Sequence, residues 1–194
     1  MNGRCYDFLM RGFEKVALRE ARRTMLSSLE GRILEVGCGT GVNFEWYRDP
    51  SMITAIDPDK DMLKVARSVC PAGLRVEPWG LEDIPLEGYS FDHIVCTLVL
   101  CSVRDPGEAF ETMKRLLKPG GTVHLLEHVK GVGLPGRLHE LCTPLWSKVA
   151  GGCHLNRNTL GLLEESGFHI TESSTVLTFI GTPFVMATAR LPQG

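Results

Sequence analysis

A glycine-rich turn follows a short apolar segment near the start of the chain. Residues 33–42 read ILEVGCGTGV, in which a buried-strand pattern runs into three glycines at alternate positions, Gly37, Gly39 and Gly41. A backbone without Cβ can bend sharply and lie against a ligand, which any side chain would prevent. The segment predicts a strand followed by a nucleotide-binding turn, although three glycines alone also fit an ordinary strand-to-helix connection.

The spacing of these glycines and the carboxylate of Glu35 favour a cationic ligand over a pyrophosphate. Dinucleotide-binding turns have the pattern Gly-x-Gly-x-x-Gly, whereas the third glycine of this chain comes one residue earlier. Glu35, two residues before Gly37, would place a negative charge near phosphate groups. A carboxylate there suits a sulfonium or ammonium group, and S-adenosylmethionine carries both without any phosphate.

Composition excludes several classes of protein. The chain has 194 residues, of which 43% are hydrophobic, enough for one domain with a sizeable core. Its net charge of −2 argues against a general nucleic-acid binder. Neither a membrane span nor a signal peptide is recognisable, which predicts a cytoplasmic location. The seven cysteines include no Cys-x-x-Cys pair, so neither a disulfide framework nor a zinc site is predicted.

Strand-like and helix-like patterns alternate along the chain. The first predicted strand ends at Gly37. The next four cover residues 52–57, 73–77, 91–97 and 122–127, and a final hairpin covers 168–175 and 183–190. The predicted helices cover residues 4–28, 63–69, 106–117 and 160–166, the third of them stopped by the sequence KPGG at 118–121. Repeated strand-helix-strand units predict an α/β fold, with a parallel sheet covered on both faces. In such sheets ligands bind at the carboxyl ends of the strands.

Asp57 ends the second predicted strand. It lies 16 residues past Gly41, close to the spacing at which an acidic residue accepts both ribose hydroxyls. Asp57 could instead cap a helix or form a turn before Pro58. Together with the glycine turn at this spacing, the ribose role is favoured.

Motifs spread over residues 32–127 resemble those of class I S-adenosylmethionine-dependent methyltransferases. Besides EVGCGTG at 35–41 and Asp57, they are LEDIP at 81–85, Phe91-Asp92 and LKPGG at 117–121. More narrowly, CTLVLCSV at 96–103, EHV at 127–129, Trp146 and GCHLN at 152–156 resemble thiol methyltransferases and bacterial phospholipid and quinone methyltransferases.

This resemblance implies a single-domain Rossmann-like fold with a mostly parallel seven-stranded sheet and a terminal antiparallel strand. Residues 1–30 would form a helical lid and residues 31–129 the cofactor-binding core. Residues 130–194 would supply substrate-side helices and a C-terminal hairpin.

The resemblance also implies where S-adenosylmethionine binds. The backbone from Gly37 to Gly41, including Cys38, would lie against the methionine and ribose portions, and Asp57 would hold the ribose. The other implied contacts are Pro58 and Met62 near adenine, Leu81 and Glu82 at its edge, Thr97 and Leu98 beside the methionine carboxylate and methyl group, and Tyr6 over the cofactor. Tyr6 could equally anchor the first helix. Many family members carry an acidic residue where this chain has Gly80, so a main-chain N–H is the expected adenine contact.

Residues after the fourth and fifth strands are candidates for the acceptor side: Cys101, Glu127, His128, Trp146, Cys153, His154 and Asn156. Glu127 and His128 could position or deprotonate an acceptor, because histidine titrates near neutrality. Alternatively, His128 bonds a neighbouring backbone group and Glu127 is a structural cap. His154 is a third catalytic candidate, in a loop before a helix that Asn156 is predicted to cap. No carboxylate cluster typical of a Mg²⁺ site follows these strands, so no metal is expected.

The predicted first helix carries basic residues at helical spacing, Arg11, Lys15, Arg19 and Arg22. Such a stripe is either ordinary solvated surface or a contact to anionic lipid.

Three functions remain open. The first is methyl transfer to a small, fairly apolar acceptor, with a thiol leading; the second is transfer to phosphatidylethanolamine nitrogen or a quinone ring carbon at a membrane surface. The third is cofactor binding without catalysis.

Overall fold

A computed structural model describes residues 18–86, 88, 90–179 and 181–192 of the chain. Its strands are β1 Ile33–Val36, β2 Ile53–Ile56, β3 Arg75–Glu77, β4 Phe91–Thr97, β5 Leu117–His128, β6 His169–Phe179 and β7 Thr182–Arg190. Its α-helices are α1 Arg19–Leu26, α2 Lys60–Val69, α3 Pro106–Leu116, α4 Leu134–Val149 and α5 Thr159–Glu165. Two 3₁₀ turns, Phe44–Trp46 and Pro50–Met52, lie between β1 and β2. Most of the predicted lid, with Tyr6, Arg11 and Lys15, lies outside the described residues.

All seven strands form one sheet in the order β3-β2-β1-β4-β5-β7-β6. The pairs from β3 through β5 are parallel, whereas β7 runs antiparallel to both β5 and β6. This confirms the predicted α/β fold with its terminal antiparallel strand. The strand order reverses between β1 and β4, and ligands of such sheets bind where the carboxyl ends of strands meet at a reversal.

The two faces of the sheet carry separate apolar clusters because alternate residues of a strand point to opposite faces. Leu34 and Ile94 belong to one cluster, with Phe110 of α3. Ile33 and Val95 belong to the other, with side chains of α1 and α2. Helices therefore cover both faces, as predicted, and hold the strand ends in fixed positions.

Two details differ from the sequence prediction. The KPGG sequence at 118–121 does not lie outside the fifth strand: β5 begins at Leu117, and the pairing register with β4 shifts across this segment. The cap of α5 is Asn158, whose Oδ1 accepts the N–H of Gly161 at 3.3 Å, so the prediction for Asn156 was wrong. Both asparagines lie close to the helix start, and sequence alone does not distinguish which one reaches a first-turn N–H.

Helix α4 had no predicted bounds. It has 16 residues and contains Pro144, and its large apolar side chains lie on an exposed side of the helix, whereas the apolar side of a core helix is buried. None of the helices in the described part of the chain is long and apolar enough to cross a membrane.

Candidate functional site

The glycine turn leaves β1 with all three glycines in the left-handed region, at φ values of 65°, 55° and 84°. A Cβ on Gly37 would lie 2.8 Å from Cβ of Val99, and one on Gly41 would lie 2.6 Å from the Phe44 ring. At Gly39 nothing lies within 4 Å. Gly37 and Gly41 are thus required by packing, whereas Gly39 leaves space for a ligand to approach the backbone.

Asp57 connects the end of β2 to the glycine turn. Its Oδ2 accepts the N–H of Gly39 at 2.9 Å, and its Oδ1 accepts the N–H of Asp59 at 2.8 Å. The residue is 8% exposed, and burial raises the pKa of its carboxyl group even though both N–H groups favour the ionised form. The structure brings Asp57 and the glycine turn together as predicted, and its ribose role stays a prediction.

A buried polar network lies beneath the turn. Asn43 donates from Nδ2 to Glu35 Oε1 at 2.8 Å and to Thr97 Oγ1 at 3.0 Å. Arg22 donates from Nη1 to Asn43 Oδ1 at 2.7 Å and to Thr97 Oγ1 at 3.0 Å. Glu35 is 1% exposed, and burial raises its pKa to about 7. Its Oε2 is also buried, and hydrogen bonding by the buried Tyr47 hydroxyl opposes part of this rise in pKa.

Arg22 corrects the prediction of an outward basic stripe. It is 3% exposed and reaches into the network, so it does not belong to a lipid-facing surface. Helical spacing assigned Arg22 to the same exposed face as Arg19. A long side chain at the edge of a helix can nevertheless turn inward when hydrogen-bond acceptors are present. Arg19 itself is exposed, lies 3.5 Å from Glu45 and stacks over Trp46. Neither Arg22 nor Asn43 was predicted as a site residue.

The residues predicted near adenine flank the start of α2 and the loop after β3. Pro58 is exposed and Met62 is half-buried, with its N–H donated to the helix cap Asp59. Leu81 is 3% exposed because its side chain packs in an apolar cluster, while Glu82 is exposed. Any adenine contact from Leu81 would therefore be a main-chain contact, in keeping with the sequence prediction.

The loop after β4 is held by Glu127. Its Oε1 accepts the N–H groups of Val99 and Leu100 at 2.8 and 2.9 Å. Glu127 is fully buried, which raises its pKa to about 7. Leu98 has φ 54°, the one positive φ outside glycine in the described part of the chain, at a cost of roughly 1–2 kcal/mol. The Glu127 bonds stabilise this strained loop, which favours the structural alternative for Glu127 and leaves its catalytic role a prediction.

Two cysteine side chains and one histidine side chain lie close together beyond the ends of β4 and β5. His128 Nε2 lies 3.1 Å from Cys153 Sγ, and Cys101 is the third member of a group whose ligand atoms all lie within 4.8 Å of one another. Cys101 and His128 are buried, and Cys153 is half-buried. The hydrogen bond of the His128 ring therefore goes to a thiol, not to a backbone group as the sequence alternative proposed.

The electrostatics of this cluster favour one thiolate. Hydrogen bonds from Cys101, His128 and Trp146 outweigh burial and lower the pKa of Cys153 to about 4, while the pKa of Cys101 is raised. Burial lowers the pKa of His128, but the hydrogen bond and the charges of Cys153 and Glu127 outweigh it, so the net shift is upward. Both shifts favour a thiolate at Cys153 beside a protonated His128 ring.

His154 lies beside this cluster but does not belong to it. Its backbone N–H donates to the carbonyl of Cys101 at 2.9 Å, and its ring Nδ1 is buried with no partner among the described residues. This geometry gives His154 a role in fixing the loop, and its catalytic role stays a prediction.

Val99 joins the two halves of the site. Its side chain lies against Gly37, and its N–H binds Glu127, the residue before His128. The loop that packs against the glycine turn therefore also carries Cys101 and is bonded to the residue before His128.

Comparison with known proteins identifies the family. The family model for the methyltransferase domain matches residues 34–125. Thiol S-methyltransferase TMT1B is 34% identical in Rattus norvegicus, over 73% of this chain and 62% of that protein, and 32% identical in Homo sapiens, over 78% and 68%. Phosphatidylethanolamine N-methyltransferase of Cereibacter sphaeroides is 33% identical over 63% of each chain.

A solved S-adenosylmethionine-dependent methyltransferase of Thermotoga maritima shares the fold. It superposes with a TM-score of 0.71 and 23% identity, over 97% of this chain and 94% of that one. The chain spans about six-tenths to two-thirds of the length of the TMT1B proteins it matches. The chain belongs to the class I S-adenosylmethionine-dependent methyltransferases, in the branch that contains the thiol, phosphatidylethanolamine and quinone methyltransferases.

Proposed function

We propose that this chain transfers the methyl group of S-adenosylmethionine to the sulfur of a small, fairly apolar thiol. The cofactor supplies a methyl group already activated by a sulfonium, so the protein needs chiefly to align the acceptor and exclude water. The open space at Gly39 and the carboxyl groups of Asp57 and Glu35 fit a ligand with ribose hydroxyls and an ammonium group.

The observation that carries the thiol proposal is the position of His128 and Cys153. A thiol must lose its proton before it attacks, and a neighbouring imidazolium favours the thiolate. His128 lies at the carboxyl end of β5, next to Glu127, which binds the loop that packs against the glycine turn. The similarity to thiol S-methyltransferases at 32–34% identity supports the same acceptor class.

An acceptor panel tests this proposal. Purified protein is assayed for S-adenosylhomocysteine release with aliphatic and aromatic thiols, with quinones, and with vesicles containing phosphatidylethanolamine. We expect turnover with thiols. His128→Asn should lower kcat/KM for thiols by at least about tenfold, because it removes the charged ring that favours the acceptor thiolate. Calorimetry should give an unchanged cofactor affinity for that variant, and Cys142→Ser, a substitution at an exposed cysteine, is the matched control.

A second candidate function is methyl transfer at a membrane surface, which the exposed side of α4 favours. Large apolar side chains recur there at helical spacing and are 50–77% exposed: Leu134, Leu138, Leu141, Leu145 and Val149. An apolar stripe of this kind can lie in the interface of a bilayer. Vesicle-dependent turnover with inert thiols would replace the first proposal by this one. Tight cofactor binding without turnover on any acceptor would leave a non-catalytic binding protein.

Two further predictions accompany the proposal. Residues 1–30 would act as a lid over the core of residues 31–129, with acceptor contacts supplied by residues 130–194. The unpaired state of the described cysteines supports a cytoplasmic location for the reaction.

A further inference from the structure

Cys101, His128 and Cys153 come from three separate segments and converge beyond the ends of β4 and β5. We propose that this cluster binds a zinc ion through two cysteine sulfurs and one histidine nitrogen, with the sulfur of the acceptor thiol as fourth ligand. The role of the fourth ligand rests on the thiol methylation proposed above. The binding of the ion does not.

The spacing of the three ligand atoms suits a tetrahedral zinc ion. Zn–S and Zn–N bonds of about 2.3 and 2.0–2.1 Å place two ligand sulfurs about 3.8 Å apart, and a sulfur and a nitrogen about 3.5 Å apart. His128 Nε2 and Cys153 Sγ are separated by 3.1 Å, and no pair in the group exceeds 4.8 Å. Small side-chain rotations suffice to admit the ion.

The backbone around the ligands is fixed without a metal. The carbonyl of Cys101 accepts the N–H of His154 at 2.9 Å, which ties the loop after β4 to the loop that carries Cys153. Gly151 and Gly152, both with positive φ, turn the chain back after α4. Arg157 donates to the carbonyl of Val103 at 2.9 Å and also to that of Leu100, on either side of Cys101. These hydrogen bonds fix the backbone positions of the two cysteines relative to each other.

The ligand chemistry selects the ion. Thiolate and imidazole ligands favour zinc over magnesium or calcium, which require oxygen ligands. Two thiolates neutralise the charge of Zn²⁺, which makes its burial feasible. Structural zinc sites use four protein ligands, whereas three protein ligands with one open position are typical of a site that binds substrate.

The open position defines a reaction sequence. The acceptor R–SH releases its proton to solvent as its sulfur bonds to zinc. A lone pair of that sulfur then forms a bond to the methyl carbon, while the carbon–sulfur bond of the sulfonium breaks and leaves its electron pair on the departing sulfur. The bond from zinc to this sulfur breaks as the thioether leaves, which frees the fourth position for the next acceptor. The products are the methyl thioether, S-adenosylhomocysteine and the proton released to solvent, and no oxidant or reductant is consumed.

Cobalt substitution tests the site directly. The full chain, reduced and treated with a chelator, is titrated with Co²⁺ under anaerobic conditions and then with Zn²⁺ in competition. We expect one equivalent of Co²⁺ to give thiolate-to-metal charge-transfer absorption and tetrahedral visible bands, both lost when Zn²⁺ displaces it. Cys153→Ser should weaken binding by at least about 100-fold, beyond the roughly 10–100-fold effect of losing a supporting contact. Cys142→Ser should leave the titration unchanged.

Several results would overturn the proposal. These are the absence of charge-transfer absorption in the reduced wild-type protein, or an unchanged titration in folded Cys153→Ser. Cys101→Ser offers a second ligand variant, with circular dichroism to confirm that it folds. A metal-free protein that methylates thiols at the full rate would remove the zinc role and leave the thiol proposal intact. Stoichiometric Co²⁺ binding without turnover of any thiol would instead retain the site and remove the thiol proposal.

Discussion

The cofactor side and the acceptor side of the site are built in different ways. On the proposed cofactor side, the backbone N–H groups of Gly39 and Asp59 donate to the carboxylate of Asp57, within two consecutive strand–loop units. On the acceptor side, His128 and Cys153 are 25 positions apart, and Cys101 joins them from the loop after β4. The first arrangement is local and made largely of main chain. The second depends on the packing of distant segments.

This difference has a physical consequence for substitution. A main-chain site tolerates few changes at its glycines, because a side chain there disfavours the required backbone conformation and prevents close contact. A side-chain site can change its chemistry one residue at a time while the backbone remains in place. Family members that share a cofactor can therefore differ in acceptor, as the thiol, phospholipid and quinone methyltransferases among the relatives do.

The largest expected effect is at Gly37. Gly37→Ala combines a left-handed backbone with a Cβ that overlaps Val99, so we expect a loss of about 2–5 kcal/mol in the free energy of unfolding. Urea denaturation of the two proteins measures the difference.

Gly39→Ala is the matched control, because its φ is similar and nothing lies near its Cβ. The left-handed backbone conformation of residue 39 should by itself lower the free energy of unfolding by about 1–2 kcal/mol once a Cβ is present. The new methyl group would occupy the cofactor space, so affinity for S-adenosylmethionine should fall by roughly 5–150-fold, equivalent to 1–3 kcal/mol of overpacking. Equal stability losses for the two variants would show that Val99 does not constrain Gly37.

The same contrast explains what the sequence predicted. The seven strands, four of the five α-helices and the convergence of the glycine turn with Asp57 followed from hydrophobic pattern and short-range spacing, and the structure has all of them. Cys101, His128 and Cys153 were each predicted as acceptor-side candidates, but their contact with one another was not predicted. Metal and thiol sites are recognised from short spacings, and these residues are brought together only by the fold. The inward turn of Arg22 was missed for a related reason: helical periodicity indicates a face, not the path of a long side chain.

The next effect concerns pH and Glu35. Burial raises its pKa from the usual 4.5 to about 7, so the unfolded chain releases this proton at lower pH than the folded protein. The stability associated with the protonated form is complete below pH 4.5 and is lost as pH rises through about 7. Glu35→Gln cannot ionise, so its stability relative to wild type should increase by up to about 3 kcal/mol between pH 4.5 and 8.

Differential denaturation of apo wild type and Glu35→Gln across this pH range provides the measurement. The comparison cancels the contribution of Glu127, whose pKa is also raised to about 7 and which both proteins retain. A constant stability difference from pH 4.5 to 8 would mean that Glu35 ionises in the folded protein as it does in water.

A smaller effect is expected for cofactor affinity at Asp57. Asp57→Ala removes the predicted ribose contact and the acceptor for the Gly39 N–H, and should weaken S-adenosylmethionine binding by about 1–3 kcal/mol. Asp57→Asn keeps an oxygen that can accept from Gly39 and separates the two contributions. Calorimetric affinity equal to that of wild type in Asp57→Ala would reject the ribose assignment, and a loss in both variants would assign it to the carboxylate charge.

The smallest expected change lies on the acceptor side. Leu141 is 77% exposed on α4, so Leu141→Gln should alter the free energy of unfolding by less than about 0.5 kcal/mol. The Leu141→Gln variant tests membrane binding. If the exposed side of α4 binds a bilayer, removal of an apolar side chain from it should reduce cosedimentation with lipid vesicles. Leu63→Gln, at a buried position of α2, would instead destabilise the fold and is unsuitable as a control. Glu140→Gln, a neighbouring substitution on the polar part of α4, supplies the control for the helix itself. Unchanged cosedimentation in Leu141→Gln and in Leu145→Gln would leave the stripe without a membrane role.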